Sequence, residues 1–346
     1  MNKTSPTLLQ RAAEHCKASS LRLAPLMLIV SLAGCEVEWG GIQVKAGEPE
    51  YEKPAALGAL PDTSAELAPL AMPVGPVLFH VRRIDPAGRA TIEPVAELSG
   101  GELKNVGPQR TEQAEDYAAA FVERYYHADQ AYTLFRDETR VGTFHVSSPS
   151  VSGSGICAVL RGEGQVELRP PADTLSEFLA WPVGSRAGAD SLEVPGYRED
   201  MRSLSQVLAR RGVTDGGIAG TWRFQAPSDF RAVRVGSGRL GFAATFMVGD
   251  SLGLGSPADS AGTVFVVADY APAVGYFPLH FDATWYGPGG KRVLRWLDSV
   301  DLLGDSEREW LLRAYGDVGS WYEVVGQQDG DTTVVWSSRR PICEAR

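Results

Sequence analysis

The sequence predicts an α+β fold made mostly of antiparallel β-hairpins and sheets, with two or three short helices. Three observations lead to this class. Short runs rich in β-branched and aromatic residues follow one another with brief turns, most densely from residue 221 to residue 338. Apolar residues at helical spacing occur in only a few short segments. Strand and helix patterns do not alternate regularly, which argues against a parallel sheet.

The first ordered elements are predicted after residue 76. Two strand-like runs within 77–98 flank Asp85-Pro86-Ala87-Gly88, whose residue types favour a turn. A helix is predicted from Thr111 to His127, because its apolar residues fall on one face. That face consists of Ala114, Tyr117, Ala118, Phe121, Val122 and Tyr125.

Two hairpins are predicted in the centre of the chain. The segment AYTLFRDETRVGTFHV alternates apolar and polar residues on either side of Asp137-Glu138, so we expect the chain to turn there. The segment ICAVLRGEGQVELRP has the same alternation around Gly162-Glu163-Gly164, which predicts a second turn.

Two further helices are predicted on either side of a loop at 183–200. Thr174-Leu175-Ser176-Glu177 has the spacing of a capping box and predicts a short helix through Trp181. A second helix is predicted from Met201 to Arg211, ended by Gly212. From there to TTVVWSS near the C-terminus the chain contains nine strand-like runs, of which TWRFQA is the first.

Residues 1–34 have the features of a secretory signal peptide. Basic residues outnumber acidic ones ahead of an apolar run from Leu23 to Leu32, which is too short to span a bilayer. The run ends in Leu32-Ala33-Gly34-Cys35, which resembles the lipobox of bacterial lipoproteins. The resemblance implies cleavage before Cys35, a diacylglycerol on its sulfur and an acyl chain such as palmitate on its new amino group. An ordinary cleaved signal and a buried N-terminal helix are the alternatives.

The same resemblance predicts the compartment and the organisation of the mature chain. Glu36 follows the cysteine, and in enteric lipoproteins a residue other than Asp at this position favours transfer to the outer membrane. Several acyl chains on one cysteine give stable anchoring. Residues 35–76 are acidic and rich in Pro, Ala and Gly, which predicts a tether. An α+β lobe at 77–190 and a β-rich lobe at 191–346 are expected to follow.

The charge balance restricts the partners. Without residues 1–34 the chain has 29 basic and 42 acidic residues. A surface with this negative excess repels phosphate backbones and anionic lipids, so nucleic acid is not an expected partner. Contact with the membrane is expected through the N-terminal lipid.

The remaining cysteines predict a disulfide. Cys16 leaves with the signal peptide and Cys35 carries the lipid, which leaves Cys157 and Cys343. In an oxidising envelope two remaining thiols favour a bridge between the C-terminal tail and the middle of the chain. Two separate buried thiols are the alternative.

Acidic residues near the C-terminus resemble a calcium loop. Asp301-Leu302-Leu303-Gly304-Asp305, followed by Glu309, is similar to the carboxylate loop of FG-GAP/VCBS-type repeats, in which a strand enters and a second strand leaves. The resemblance implies calcium ligands at Asp301, Asp305 and Glu309, because a hard cation takes several oxygen ligands. Leu303 occupies the middle ligand position and cannot coordinate, so a metal-free loop is the alternative.

One stretch has the residues of a hydrolase motif. Gly249-Asp250-Ser251-Leu252 resembles the GDSL hydrolase block, but that family needs an aspartate three residues before a later histidine. The only histidine after Ser251 is His280, and Phe277 stands at that position. Because a serine hydroxyl without a base is a weak nucleophile, a turn after a strand is the simpler interpretation.

Together these features predict a membrane-anchored cell-envelope lipoprotein that binds or scaffolds and does not catalyse. Its partner would be an envelope protein or a glycan. Five of the eight tryptophans lie after residue 284, where they could stack against sugars, although their strand spacing favours a β core. The alternatives are a periplasmic hydrolase with a dispersed active site and a calcium-stabilised adhesion-type module. No cofactor is expected apart from calcium at 301–309.

Overall fold

Strands dominate the computed structural model of the chain. It describes residues 69–189, 199–218, 220–235, 239–258, 260–287, 290–328, 331–340 and 343. The prediction of an α+β fold is wrong, because the structure is mostly β, with 50% strand and 15% helix. The strands form a six-stranded barrel and two further sheets.

The barrel is antiparallel and runs in the order β1-β7-β4-β5-β6-β2, closed by pairing of β1 with β2. A short strand, β3, extends it beyond β2. The seven strands are β1 (Val77–Arg83), β2 (Arg89–Ser99), β3 (Glu102–Lys104), β4 (Ala131–Arg136), β5 (Thr139–Ser152), β6 (Val159–Leu168) and β7 (Glu177–Pro182).

The predicted turns at the ends of β1 and β4 are confirmed. Asp85 accepts a hydrogen bond from the amide of Arg89 at 3.0 Å, and Gly88 has a φ of 93°. Asp137 and Glu138 both adopt positive φ, as a two-residue hairpin turn requires.

The predicted helix after β3 is confirmed with slightly shorter bounds. A 3-10 turn (Thr111–Gln113) leads into helix α1 (Ala114–Tyr125). Its buried stripe of Tyr117, Phe121 and Tyr125 packs against the side chains that point into the barrel, including Phe79 of β1. The helix therefore completes the core of the barrel.

The prediction of a hairpin at Gly162-Glu163-Gly164 is wrong, because the segment is one continuous strand, β6. Both glycines are needed for close packing and not for a turn. A Cβ on Gly162 would collide with Ile92, and a Cβ on Gly164 would collide with the carbonyl oxygen of His145 on β5.

The prediction of a short helix at 174–181 is also wrong. A 3-10 turn (Ala172–Thr174) precedes strand β7, which pairs with β1 and β4. Phe178 faces the barrel interior, and Leu179 and Trp181 face outward into a second core. Burial of both faces of β7 outweighs the local capping pattern around Glu177.

The remaining strands form two four-stranded antiparallel sheets. We call β8–β11 the outer sheet and β12–β15 the inner sheet. The outer sheet contains β8 (Asp229–Val235), β9 (Arg239–Val248), β10 (Gly262–Ala271) and β11 (Gly275–Trp285), and the inner sheet contains β12 (Val293–Val300), β13 (Glu309–Tyr315), β14 (Ser320–Gln328) and β15 (Asp331–Ser337). Eight of the nine predicted runs are strands, whereas TWRFQA is not.

The inner sheet is sandwiched between the barrel and the outer sheet. One face packs Leu311 and Val324 against Leu78 and Trp181 of the barrel. The other face packs Trp296, Trp310 and Trp321 against the outer sheet. These three tryptophans are buried, which agrees with the β-core interpretation of the tryptophan-rich region.

Helix α2 (Glu199–Asp215) covers the far face of the outer sheet. The predicted stop at Gly212 is wrong, because the helix continues for three residues beyond it. A Cβ at Gly212 would collide with the ring of Phe281 on β11, so glycine is needed there for helix–sheet contact. Neither helix in the described ranges has the length and hydropathy of a membrane-crossing segment.

Candidate functional site

The predicted cysteine sites lie in different parts of the chain. Cys35 is outside the described residues. Cys157 and Cys343 are joined in a disulfide with their Cα atoms 5.5 Å apart. Beside it, the guanidinium of Arg340 donates to the carbonyl oxygens of Ile156 at 2.5 Å and of Pro108 at 3.3 Å. The C-terminal tail is thus attached to the barrel by one covalent bond and several hydrogen bonds.

The predicted calcium ligands bind the backbone of their own loop, which connects β12 to β13. Asp301 accepts hydrogen bonds from the amides of Gly304 at 2.6 Å and Ser306 at 3.2 Å. Asp305 accepts from the amide two residues further on at 2.9 Å, and Glu309 accepts from the amide of Leu302 at 2.7 Å. All three carboxylates already stabilise the turn.

The acidic turn between β4 and β5 contacts the same loop. Glu138 accepts a hydrogen bond from the amide of Asp301 at 3.0 Å, and Arg308 bonds both Asp137 at 3.0 Å and Glu138 at 3.2 Å. Within the described ranges, no group of three or more His, Cys, Asp and Glu side chains is arranged to hold a metal ion.

We therefore expect Asp301→Ala to lower the free energy of unfolding by about 1–2 kcal/mol, because two backbone amides lose their acceptor. The loss should be the same in calcium and in EDTA when measured by urea unfolding. Asp305→Ala is the matched control and should cost less, since Asp305 accepts one of these bonds. A calcium-dependent rise in melting temperature that Asp301→Ala abolishes would contradict this expectation.

Ser251 lies on the exposed loop after β9, where Lys291 holds the backbone. The buried ammonium of Lys291 bonds Asp250 at 2.9 Å and the carbonyl oxygen of Ser251 at 3.1 Å. In the described part of the chain, the Ser251 hydroxyl has no hydrogen bond to a histidine. His280 instead contacts the hydroxyl of Thr332 through Nδ1 at 2.7 Å.

In the part of the chain that the structure describes, titratable side chains form a largely buried cluster where the barrel meets the inner and outer sheets. It consists of His80, Glu93, Arg161, Glu177, Asp229, Arg231, Arg295, Arg313 and Tyr322, and we call it the His80 cluster. His80 belongs to the outward face of β1, two residues beyond Leu78, and it lies opposite Glu93 in the β1–β2 register. Its side chain is 1% exposed.

Glu177 joins the barrel to both sheets. Arg295 of the inner sheet donates hydrogen bonds to both carboxylate oxygens of Glu177, at 2.5 and 2.7 Å. Arg231 of the outer sheet donates to one of these oxygens at 2.9 Å. Burial opposes ionisation of Glu177, but favourable interactions with His80 and the two arginines outweigh it and lower its pKa to about 2.

Glu93 has a parallel role on β2. The Tyr322 hydroxyl makes a short hydrogen bond to it, Arg313 approaches at 2.9 Å and Arg161 at 3.1 Å. Burial disfavours the ionised form of Glu93 and so raises its pKa. Interactions with His80, Arg313 and Tyr322 outweigh burial and hold the Glu93 pKa well below its usual value.

The imidazole of His80 lies between these two carboxylates. Its Nδ1 is 3.0 Å from the Tyr322 hydroxyl, and its Nε2 is 3.8 Å from the nearer oxygen of Glu177. Burial is the largest influence and lowers the His80 pKa below 6.5, assisted by Arg313 and opposed by the carboxylates. His80 is therefore neutral at pH 7.

A second ion-pair group joins the two sheets. Arg292 bonds Glu323 at 3.0 and 2.5 Å and Asp282 at 2.5 Å, and the indole of Trp321 donates to Glu323 at 2.7 Å. Like the His80 cluster, it uses opposite charges across a layer boundary.

An open groove lies on the opposite side of the outer sheet. It has a volume of about 290 Å³ and is formed by Leu204, Val207 and Leu208 of α2, by Tyr270 at the end of β10 and by Val274 in the β10–β11 turn. The lining is mostly apolar, as in many ligand pockets, although the volume is at the small end of their range.

The His80 cluster can hold layers together and exchange protons, but a substrate cannot contact its buried groups. No motif in the sequence marks these residues as a cluster. A signal was present: His80 and Glu177 each adjoin an apolar run, VLF and FLAW, on strands that are buried on both faces. A polar residue at such a position usually has a buried partner.

Comparison of the chain with protein-family models, curated proteins and solved structures found no match.

Proposed function

We propose that this protein is a lipid-anchored component of the bacterial outer membrane that binds or scaffolds other envelope molecules without catalysis. The observation that carries the proposal is the disulfide between Cys157 and Cys343. Disulfides persist in oxidising compartments and are rare in the cytosol, so this bond supports export. It agrees with the signal-like residues 1–34 and with the lipobox-like segment that ends at Cys35.

The buried charges support the non-catalytic part of the proposal. A general acid or base must come within hydrogen-bond reach of a substrate. The side chains of His80 and Glu177 are 1% and 5% exposed, and both are engaged between layers of the fold. Ser251 is exposed but has no histidine base in the described part of the chain. These features favour a rigid body that presents its surface to a partner.

The expected partners are molecules that can reach the plane of the membrane. The negative charge of residues 35–346 favours an envelope protein or a glycan over nucleic acid. Calcium at 301–309 is the alternative to a metal-free loop, and the Asp301→Ala experiment in calcium and in EDTA distinguishes the two.

Replacement of Cys35 by serine is expected to abolish membrane attachment, because the serine hydroxyl does not accept the lipid. In the native cell, the wild type should incorporate labelled palmitate and sediment with outer membranes, whereas Cys35→Ser should do neither. Intact-mass measurement should show a wild-type chain that begins at Cys35 and carries acyl chains.

Cys157→Ser is the matched control, because it removes a cysteine without affecting the acceptor of the lipid. It should keep both the label and the membrane fraction. A wild-type protein with an unmodified Cys35 and residues 1–34 still attached would refute the anchoring. Affinity capture from native membranes with the wild type, compared with Cys35→Ser, would then identify partners that depend on the anchor.

A further inference from the structure

The hydrogen bonds around His80 determine which of its nitrogens carries the hydrogen. Glu93 is ionised and can only accept, so the single hydrogen of the Tyr322 hydroxyl points to Glu93. The Tyr322 oxygen must then accept a hydrogen bond from His80, whose Nδ1 lies 3.0 Å away. Neutral His80 is therefore the Nδ1–H tautomer, with a lone pair on Nε2.

That lone pair faces a carboxylate. Among the described residues, the buried Nε2 of His80 has no hydrogen-bond partner, and an oxygen of Glu177 is 3.8 Å away. Two acceptors thus face each other, and both side chains are almost fully buried. A hydrogen on Nε2 would convert this contact into a charge-assisted donor–acceptor pair.

We propose that Nε2 of His80 is a proton-binding site that makes the contact between the barrel and the inner sheet sensitive to acid. The groups that face the imidazole come from every strand packed against it. They are Glu93 on β2, Glu177 on β7, Arg313 on β13 and Tyr322 on β14. The proposal does not depend on the proposed function.

Proton uptake changes the balance of charge at this interface. When His80 is neutral, Nε2 does not compete for Glu177. Glu177 then bonds Arg295 and Arg231, and these bonds connect the two sheets to the barrel. An imidazolium would attract Glu177 to Nε2 and would repel Arg313. The bonds between Glu177 and the arginines would weaken, and the barrel would separate more easily from the inner sheet.

The direction of the pH effect follows from burial of His80. In the unfolded chain the imidazole takes a proton near pH 6.5, whereas in the folded chain its pKa is lower. Between these two values the unfolded state binds more protons, so stability is present above pH 6.5 and is lost as the pH falls. One such group changes the unfolding equilibrium constant by up to tenfold per pH unit in this window.

Nitrogen NMR of histidine-labelled wild-type protein tests the tautomer directly. At pH 7.5, His80 should have a protonated Nδ1 and an unprotonated Nε2, and Nε2 should take its proton with a midpoint below pH 6.5. His80→Gln assigns the signals by their disappearance. An Nε2–H tautomer at pH 7.5, or a midpoint above 6.5, would overturn the proposal.

Two variants separate the proton site from general packing. Tyr322→Phe removes the nearest acceptor for Nδ1–H and leaves each ring nitrogen 3.8 Å from a carboxylate, Glu93 at Nδ1 and Glu177 at Nε2. The fraction of the Nε2–H tautomer should therefore rise above that of the wild type. His80→Gln should reduce the dependence of urea unfolding on pH below 6.5, and His127→Gln, at an exposed histidine, is the matched control. Equal pH dependence of unfolding in the wild type and in His80→Gln would show that His80 does not link stability to pH. If His80→Gln does not fold, the NMR titration of wild-type His80 tests the proposal instead.

Discussion

Glu177→Gln is expected to lower the free energy of unfolding by about 3–5 kcal/mol, because it removes a buried carboxylate that two partly buried arginines share. Arg295 uses both terminal nitrogens on Glu177, and Arg231 uses one. The amide of glutamine has nearly the same volume, so loss of the charge accounts for the effect and loss of packing does not. Urea unfolding followed by tryptophan fluorescence measures it.

The pH dependence of the same variant provides a second measurement. The Glu177 pKa is lowered from 4.5 to about 2, so its contribution to stability is present above pH 4.5 and is lost as the pH falls towards 2. Glu177→Gln has no such carboxylate. Its stability should therefore fall less steeply than that of the wild type between pH 4.5 and 2.

Two further variants test the explanation. Asp215→Asn removes the exposed Arg211–Asp215 pair and should change stability little, because surface ion pairs contribute little. The double variant Glu177→Leu/Arg295→Met should recover part of the loss, since an apolar pair replaces Arg295 and its lost partner. A cost for Glu177→Gln no larger than that of Asp215→Asn would refute the assigned role of Glu177.

Removal of the disulfide by Cys157→Ala/Cys343→Ala is expected to lower the free energy of unfolding by about 4 kcal/mol. The two cysteines are 186 residues apart, so the bond restricts a large part of the unfolded chain. Arg340 still bonds the carbonyl oxygens of Ile156 and Pro108 in the variant, so the tail should remain docked in the folded state.

Reduction of the wild type provides the control for this variant. Dithiothreitol should lower the stability of the wild type to that of the double variant and should leave the variant unchanged. Mass spectrometry of non-reduced peptides should show Cys157 linked to Cys343. Separate, unlinked peptides from oxidised native protein would show that the thiols are independent and that the disulfide does not form.

Local patterns in the sequence predict several elements correctly. The stripe of Tyr117, Phe121 and Tyr125 predicts α1, because helical spacing alone defines its buried face. Asp137-Glu138 predicts the β4–β5 turn, because only a few residue types favour such turns. These signals extend over a few residues, which is why they are visible without the fold.

The same kind of local signal predicts the wrong element where contacts between distant parts of the chain determine the secondary structure. Glu177 has the position of a helix-capping residue, yet pairing of β7 with β1 and β4 makes a strand. Gly212 resembles a helix stop, and Gly162 resembles a turn residue. Both are glycine because a neighbouring side chain, Phe281 or Ile92, occupies the place of a Cβ.

By itself, the sequence determined the pairing expected of Cys157 and Cys343, most strands and the buried stripe of α1. It also predicts export, from residues 1–35. Only the tertiary structure decided that the fold is mostly β and that a charged cluster lies between the barrel and the inner sheet. His80 and Tyr322 are 242 residues apart, and charged residues on strands otherwise resemble solvent-facing positions. Their contact depends on how sheets stack, and no short stretch of residues encodes that arrangement.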